Sequence, residues 1–184
     1  MKQAAWTARV GLVVIALALG ACSATRTQES AGEVVDDSVL TAKVKTALVE
    51  DPVTKARQID VETYRGVVQL AGFVDSEQEK ARATELARAV TGVQEVRNDL
   101  KVGDADQSTL GEKVDDGLIT TQVKTKLIAD SRTDAYKINV ETKEGVVQLS
   151  GFVDNDDAKR TAGEVARSVS GVRDVDNDLE IRQQ

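Results

Sequence analysis

The chain of 184 residues contains no histidine, one cysteine, one proline and only 3% aromatic residues. Without histidine it cannot build a Ser/His/Asp or Cys/His catalytic system, an HExxH zinc site or a histidine-ligated haem. The single cysteine, Cys22, allows neither an intramolecular disulfide nor a CxxC metal knuckle. The formal charge of −7 argues against nucleic acid as a partner, because phosphate binding by bulk electrostatics needs a basic surface.

Carboxylates remain as candidates for acid–base chemistry, most clearly Asp154, Asp156 and Asp157. They lead into a predicted helix, where negative charge stabilises the N-terminus. No histidine, tyrosine or cysteine lies near them in sequence, and the DxDxDG spacing of a calcium loop is absent. We therefore expect a protein that is not an enzyme and that uses no metal and no cofactor.

The N-terminus has the features of an export signal. Lys2 and Arg9 precede an uncharged, mostly apolar run at residues 10–20, which is too short for a bilayer span of roughly 20 residues. The run ends in Leu-Gly-Ala-Cys at residues 19–22. The pattern predicts a signal peptide over residues 1–21, and an ordinary signal peptide with an incidental Cys22 is the alternative to a lipoprotein signal.

Leu-Gly-Ala-Cys resembles the lipobox of bacterial lipoproteins. The resemblance implies that Cys22 becomes the first residue after cleavage and is acylated on its sulfur and its amine. Two or three acyl chains anchor a protein lastingly, whereas one chain binds only marginally. In Gram-negative bacteria, the residue after the acylated cysteine directs the sorting of lipoproteins. Because Ser23 rather than aspartate follows Cys22, the resemblance further implies that the protein is sorted to the outer membrane. Residues 22–34 are rich in small and polar residues, which predicts a flexible tether of about 20 Å.

The rest of the chain is a duplication. At an offset of 79 residues, IDVETYRGVVQLAGFVD at Ile59 aligns with INVETKEGVVQLSGFVD at Ile138. Between residues 34–102 and 113–181, 36 of 69 aligned pairs are identical without a gap. Two copies favour paired domains rather than a solenoid. We predict domains at residues 35–102 and 114–181, joined by a polar linker at residues 103–113.

Each copy has the pattern helix, strand, strand, helix, strand. Leu40, Val44 and Leu48 form a helical stripe, and the preceding carboxylates Asp36 and Asp37 are predicted to cap that helix together with Ser38. Alternating apolar residues then predict a hairpin that turns at Gly66.

After the second helix, alternation from residue 96 to residue 102 predicts a third strand. A helical crossover makes that strand parallel to the second one. The expected fold class is α+β, with a three-stranded mixed sheet covered by two helices on one face. The glycines are interpreted as turn and packing positions, and Asn98 and Asn177 as hydrogen-bonded structural residues.

The motifs GVVQLAGFVD and GVQEVRNDLKV in one copy, and GVVQLSGFVD and GVRDVDNDLEI in the other, resemble the BON domain of bacterial envelope proteins. With the lipobox, the chain is similar to dual-BON outer-membrane lipoproteins of the division and stress-associated lipid-binding type. Soluble, osmotically inducible periplasmic proteins share the tandem domains without the anchor. The resemblance implies periplasmic residence, anionic phospholipid or outer-membrane proteins as partners, and a role in envelope integrity.

The same resemblance directs phospholipid binding to the first helix of the second copy. Long lysine stems beside apolar residues allow a helix edge to enter the headgroup layer. An ordinary amphipathic core helix is the alternative, and it is favoured by the net charge of −5 over residues 115–181. The candidate lipid-binding residues are Leu118, Ile119, Lys124, Lys126 and Ile128.

Phe73 and Phe152 are interface candidates. Strand alternation directs both side chains to the sheet face away from the helices, where the other copy or a partner could cover them. Partly exposed phenylalanines without a role are the alternative. A second functional hypothesis is a periplasmic chaperone or stress adaptor, which would hold unfolded outer-membrane proteins on open sheet faces.

Overall fold

The computed structural model describes residues 31–54, 59–103 and 110–182. The expected signal peptide, Cys22 and Ser23 lie outside these residues. The elements of the first half are α1 (Ala31–Glu50), β1 (Ile59–Tyr64), β2 (Val67–Val74), α2 (Glu77–Ala89), β3 (Glu95–Asn98) and β4 (Lys101–Val102). Those of the second half are α3 (Leu110–Ala129), β5 (Ile138–Lys143), β6 (Val146–Val153), α4 (Asp156–Arg167), β7 (Asp174–Asn177) and β8 (Glu180–Ile181).

The predicted α+β fold and mixed sheet are confirmed in both halves. β1 pairs with β2 in antiparallel orientation, β3 pairs with β2 in parallel orientation, and the second half repeats this arrangement. In the first half the helical stripe packs on inward residues of the hairpin such as Val61, Val68 and Leu70. Each half has its own apolar core. Among the described residues, no helix is both long and apolar enough to span a membrane.

The third strand is not continuous, so the predicted alternation up to residue 102 is wrong at its end. The side-chain Nδ2 of Asn98 donates to the Lys80 carbonyl at 2.8 Å, and its Oδ1 accepts from the backbone amide of Leu100 at 3.0 Å. This local turn separates β3 from β4. It leaves Leu100 fully buried and Val102 exposed. Asn98 is therefore a hydrogen-bonded structural residue, as expected, and Asn177 makes the equivalent bond to the Lys159 carbonyl.

The helices begin earlier than the sequence suggested. α1 starts at Ala31, inside the segment expected to be a tether, and α3 starts at Leu110, inside the expected linker. The predicted capping role of Asp36, Asp37 and Ser38 is therefore wrong, because all three lie within α1.

Asp37 instead anchors the hairpin turn to α1. Its carboxylate accepts from the backbone amides of Arg65 at 2.6 Å and Gly66 at 2.9 Å. Both turn residues have positive φ, 50° and 76°, which is the backbone of a type I′ hairpin turn. In the second half, Asp116 binds the amides of Glu144 and Gly145 in the same way.

The two halves pack through the sheet faces that their helices leave open. β2 contacts β6, and β1 also contacts β6, whereas α1 and α2 pack on the core face of the first sheet and α3 and α4 on the core face of the second. The molecule consequently has four layers in the order helices, sheet, sheet, helices. α1 and α3 belong to opposite outer layers.

We predict that Asp37→Ala lowers the free energy of unfolding by about 1–3 kcal/mol, because two turn amides lose their acceptor. Asp36→Ala is the matched control, since Asp36 is exposed in the same turn of helix. Urea denaturation of both variants gives the comparison. Equal stability of the two would contradict the anchoring role of Asp37.

Candidate functional site

The contact between the two sheets is centred on Gln69 in β2 and Gln148 in β6. Both side chains are buried, with 1% exposure. Nε2 of Gln69 donates to the Asp99 carboxylate at 2.7 Å and to the Asp178 carbonyl at 2.7 Å. Its Oε1 accepts from the Gly151 amide at 2.8 Å. The side-chain amide of Gln69 thus bonds to both halves of the molecule.

Gln148 makes the reciprocal set of bonds. Its Nε2 donates to the Asp178 carboxylate and to the Asp99 carbonyl, both at 2.8 Å, and its Oε1 accepts from the Gly72 amide at 2.7 Å. An approximate two-fold axis therefore relates the halves. Because a buried amide is destabilising unless it is hydrogen-bonded, the pair permits one docking register.

The two glycines make this exchange possible. Gly72 and Gly151 have φ of 115° and 121°, which orients each amide toward the opposite glutamine. A Cβ on Gly151 would lie 2.1 Å from the Lys137 carbonyl oxygen, so a larger residue does not fit.

The sequence analysis did not single out these glutamines. The available signal was a polar residue at the same place in both copies, inside the apolar run VVQL and on the face away from the core. Such a residue is ordinary on a strand face that is exposed to water, so the pattern alone does not indicate a buried contact.

The aromatic residues near this contact are arranged asymmetrically. Phe152 is buried and packs on Tyr64 of the first half, with ring centroids 5.4 Å apart. The guanidinium of Arg182 lies 5.0 Å from the Tyr64 ring centroid. Phe73 is half-buried and lies in β2 opposite Lys101 of β4. The asymmetry arises because the residue equivalent to Tyr64 is Lys143.

The client-binding hypothesis needs open sheet faces. In the described part of the chain, the central strands β2 and β6 cover each other through those faces. The surface on which that hypothesis relied is therefore an interface between the two halves.

Charged side chains line the edge of the contact along the third strands. Arg97 forms an ion pair with Glu180, and Lys101 lies 3.6 Å from Asp176 and 3.4 Å from Asp178. Burial raises the pKa of Asp99, and the nearby Asp178 and Glu180 carboxylates raise it further, against the hydrogen bond from Gln69.

The outer face of α3 carries most of the predicted lipid-binding residues. Leu118 is 55% exposed and Ile128 is 61% exposed. Thr121 and Thr125 lie between them, and their hydroxyls donate to carbonyls one turn earlier, at 2.9 and 2.8 Å. Their polar groups are thus satisfied within the helix. Ile119 requires a correction, because it is buried in the core of the second half and cannot reach a membrane.

Lys124 and Lys126 of α3 lie on opposite flanks of this apolar pair, as a helical rotation of about 100° per residue requires. Both side chains are exposed. Lys126 also donates to the Ser168 carbonyl at 2.9 Å and to its hydroxyl at 3.1 Å, which ties it to the end of α4. α1 has a similar outer face, with Val39 48% exposed and Val49 72% exposed.

Among residues 36–54, 59–103 and 115–182, whose side chains the structure describes, no group of three or more metal-binding side chains is found. Asn155 caps the start of α4 by accepting from the Ala158 amide at 2.8 Å, and the acidic residues Asp156 and Asp157 occupy the first turn of that helix. Their position is that of charges that stabilise a helix start.

We predict that Gln69→Ala lowers the free energy of unfolding by about 2–4 kcal/mol, because it leaves several buried polar groups without partners. Gln78→Ala is the matched control, since Gln78 is exposed in α2. Urea denaturation measures both. If the two variants were equally stable, the glutamine exchange would not hold the halves together.

A second prediction concerns pH. Because the pKa of Asp99 is raised in the folded chain, the native state binds this proton more tightly than the unfolded state, and stability from this group is lost as pH rises. Asp99→Asn should therefore gain stability relative to wild type between pH 4 and pH 7. Urea midpoints across that range test this, with Asp115→Asn as an exposed control. If the urea midpoints of wild type and Asp99→Asn changed equally with pH, the predicted effect of the raised Asp99 pKa would be contradicted.

Comparison with known proteins covers both halves. The sequence model of the BON domain matches residues 36–104 and 115–183. The chain is 39% identical over 171 residues to "Osmotically-inducible protein Y" of Escherichia coli (strain K12), which covers 87% of this chain and 85% of that protein. It is 36% identical over 145 residues to "Outer membrane lipoprotein DolP" of Haemophilus influenzae, with 78% and 74% covered. It is 37% identical over 147 residues to "21 kDa hemolysin" of Actinobacillus pleuropneumoniae, with 79% and 74% covered.

Proposed function

The chain belongs to the BON-domain family, and on that premise we propose that it is a lipid-anchored envelope protein that docks on phospholipid through the outer face of α3. The observation that carries this proposal is the exposed pair Leu118 and Ile128, flanked by lysines on a helix whose other side is buried. The proposed role is support of outer-membrane integrity from the periplasmic face.

Attachment is proposed to come first from Cys22. The lipobox motif at residues 19–22 supports this, as does the similarity to a relative named as an outer membrane lipoprotein. Acyl chains on Cys22 would hold the folded part close to the bilayer. Tethering raises the effective concentration of α3 at the surface, so that a weak contact suffices.

The geometry of α3 fits contact with a membrane along its side. Leu118 and Ile128 are ten residues apart, which is about 15 Å along a helix. The hydroxyls of the threonines between them are hydrogen-bonded to carbonyls of the same helix, so they need no partner in the headgroup layer. The lysine stems can lie along the apolar surface while their ammonium groups reach lipid phosphates.

α3 is the better candidate than α1 for a physical reason. The exposed pair on α1 is Val39 and Val49, and each has one methylene fewer than its counterpart on α3. Each buried methylene contributes about 0.8 kcal/mol to transfer from water. The larger side chains of α3 therefore favour membrane contact.

Net charge opposes docking on anionic lipid. The second domain carries −5 over residues 115–181, so only the local lysines attract phosphates. Screening by salt weakens exposed charge contacts. We therefore expect binding by the folded part alone to be weak and strongest at low ionic strength.

Flotation of the non-acylated chain, residues 23–184, on phosphatidylglycerol vesicles at low salt tests the lipid contact. Leu118→Gln with Ile128→Gln should reduce the bound fraction at least several-fold, because the apolar contact is lost. Val39→Gln with Val49→Gln is the matched control on α1 and should bind like wild type. Absence of wild-type binding, or equal losses in both variants, would remove the α3 proposal.

The anchor is tested separately in the native host. Cys22→Ala should release the protein from washed membranes, because the acyl chains supply most of the attachment. Fractionation and immunoblotting measure this. Retention of the variant at wild-type levels would instead show that the folded part binds membranes by itself.

A further inference from the structure

The outward sheet faces of the two domains are alike except in charge. The bonding residues at their centre are identical in both copies: Gln69 and Gln148, Gly72 and Gly151, Asp99 and Asp178. On the third strands, however, the first domain has Arg97 and Lys101. The second domain has Asp176 and Glu180 at the equivalent positions, 79 residues later.

These opposite charges meet across the docked interface. Arg97 pairs with Glu180, and Lys101 lies 3.6 Å from Asp176. The two-fold relation thus places Arg97 opposite Glu180, which is the equivalent of Lys101. It places Lys101 opposite Asp176, which is the equivalent of Arg97. All four side chains are about one-third exposed, so their charges are only partly screened by water.

Pairing of like domains would replace these two attractive contacts by repulsive ones, whereas Lys101, which also lies 3.4 Å from Asp178, would keep the equivalent carboxylate of Asp99 in another first domain. The same docking of two first domains would place Arg97 beside Lys101 twice, and docking of two second domains would place Asp176 beside Glu180 twice. The glutamine–glycine exchange would form equally in every combination, because its residues are identical in both copies. The glutamines therefore set the register, and the third-strand charges discriminate between partners.

A contact at the other edge acts in the same direction for the first domain. The Asn139 amide donates to Glu62 at 2.8 Å. The residue equivalent to Asn139 is Asp60, which already lies beside Glu141 of the second domain in this molecule. Two docked first domains would make two such carboxylate contacts, each between Glu62 and Asp60, instead of one. Like charges placed opposite each other are unfavourable.

We propose that Arg97, Lys101, Asp176 and Glu180 form a pairing code. Through it the sheet face of a first domain accepts only the face of a second domain, from its own chain or, when that is blocked, from a second copy of the chain. This inference is independent of the proposed membrane function.

Charge reversal in the non-acylated chain, residues 23–184, tests the code, since that chain contains every described residue. The acidic variant is Arg97→Glu with Lys101→Glu. The basic variant is Asp176→Lys with Glu180→Lys. Each one places like charges across its own interface. The fourfold variant that combines all four changes restores opposite charges with their places exchanged.

Sedimentation velocity and small-angle X-ray scattering at low salt give the mass and the radius of gyration. Alone, the acidic and the basic variant should each be monomeric, with a larger radius and a lower thermal midpoint than wild type. Mixed in equal amounts, they should form a heterodimer that contains one acidic and one basic chain. In it, the first domain of each chain docks on the second domain of the other chain, so that both interfaces join opposite charges. The fourfold variant should be a monomer as compact as wild type.

Lys45→Glu with Arg88→Glu is the matched control, because it changes the net charge equally on exposed helix positions. It should remain compact and should not dimerise with the basic variant. The code is refuted if the acidic and basic variants are as compact as wild type. It is also refuted if their mixture stays monomeric, if either dimerises alone, or if the fourfold variant stays expanded.

Discussion

Two glutamine side chains buried between sheets impose the main constraint on this molecule. An amide removed from water needs partners for both of its N–H groups and for its oxygen. Each of Gln69 and Gln148 bonds to the other domain at a glycine amide and at the turn that splits the third strand, and to its own domain at the carboxylate of Asp99 or Asp178. A shift of the sheets by one residue would break the bonds between the domains. The tandem domains therefore form one structural unit with a defined relative orientation rather than two independent domains.

This arrangement decides which surfaces remain for partners. The open sheet faces are used between the domains, and the outer faces of the helices carry four exposed apolar residues, Val39, Val49, Leu118 and Ile128. The other large exposed hydrophobic side chains of the described residues are Val53, Val102, Tyr136 and Ile181. The family relation of the chain and its duplicated fold agree with this division of roles. Residues shared by both copies hold the molecule together, whereas differences between copies determine what each surface can contact.

Sequence periodicity was sufficient for the elements, the mixed sheet and the helix-covered face, whereas the family was indicated by the resemblance of the repeated motifs. It failed where a residue acts over a long distance. Asp37 was interpreted as a helix cap because carboxylates are common there, yet its partners are turn amides 28 and 29 residues away. Ile119 was grouped with Leu118 because they are adjacent, although one helical step separates core from surface. Gln69 was not recognised because a polar residue on a strand face is ordinary unless another domain covers it.

The four-layer order has a consequence for any molecule lying on a bilayer. Packed sheets are about 10 Å apart, and each helix lies roughly 10 Å from its sheet, so the axes of α1 and α3 are separated by about 30 Å. The valine-bearing face of α1 and the apolar face of α3 therefore point in opposite directions, and one flat surface cannot contact both at once.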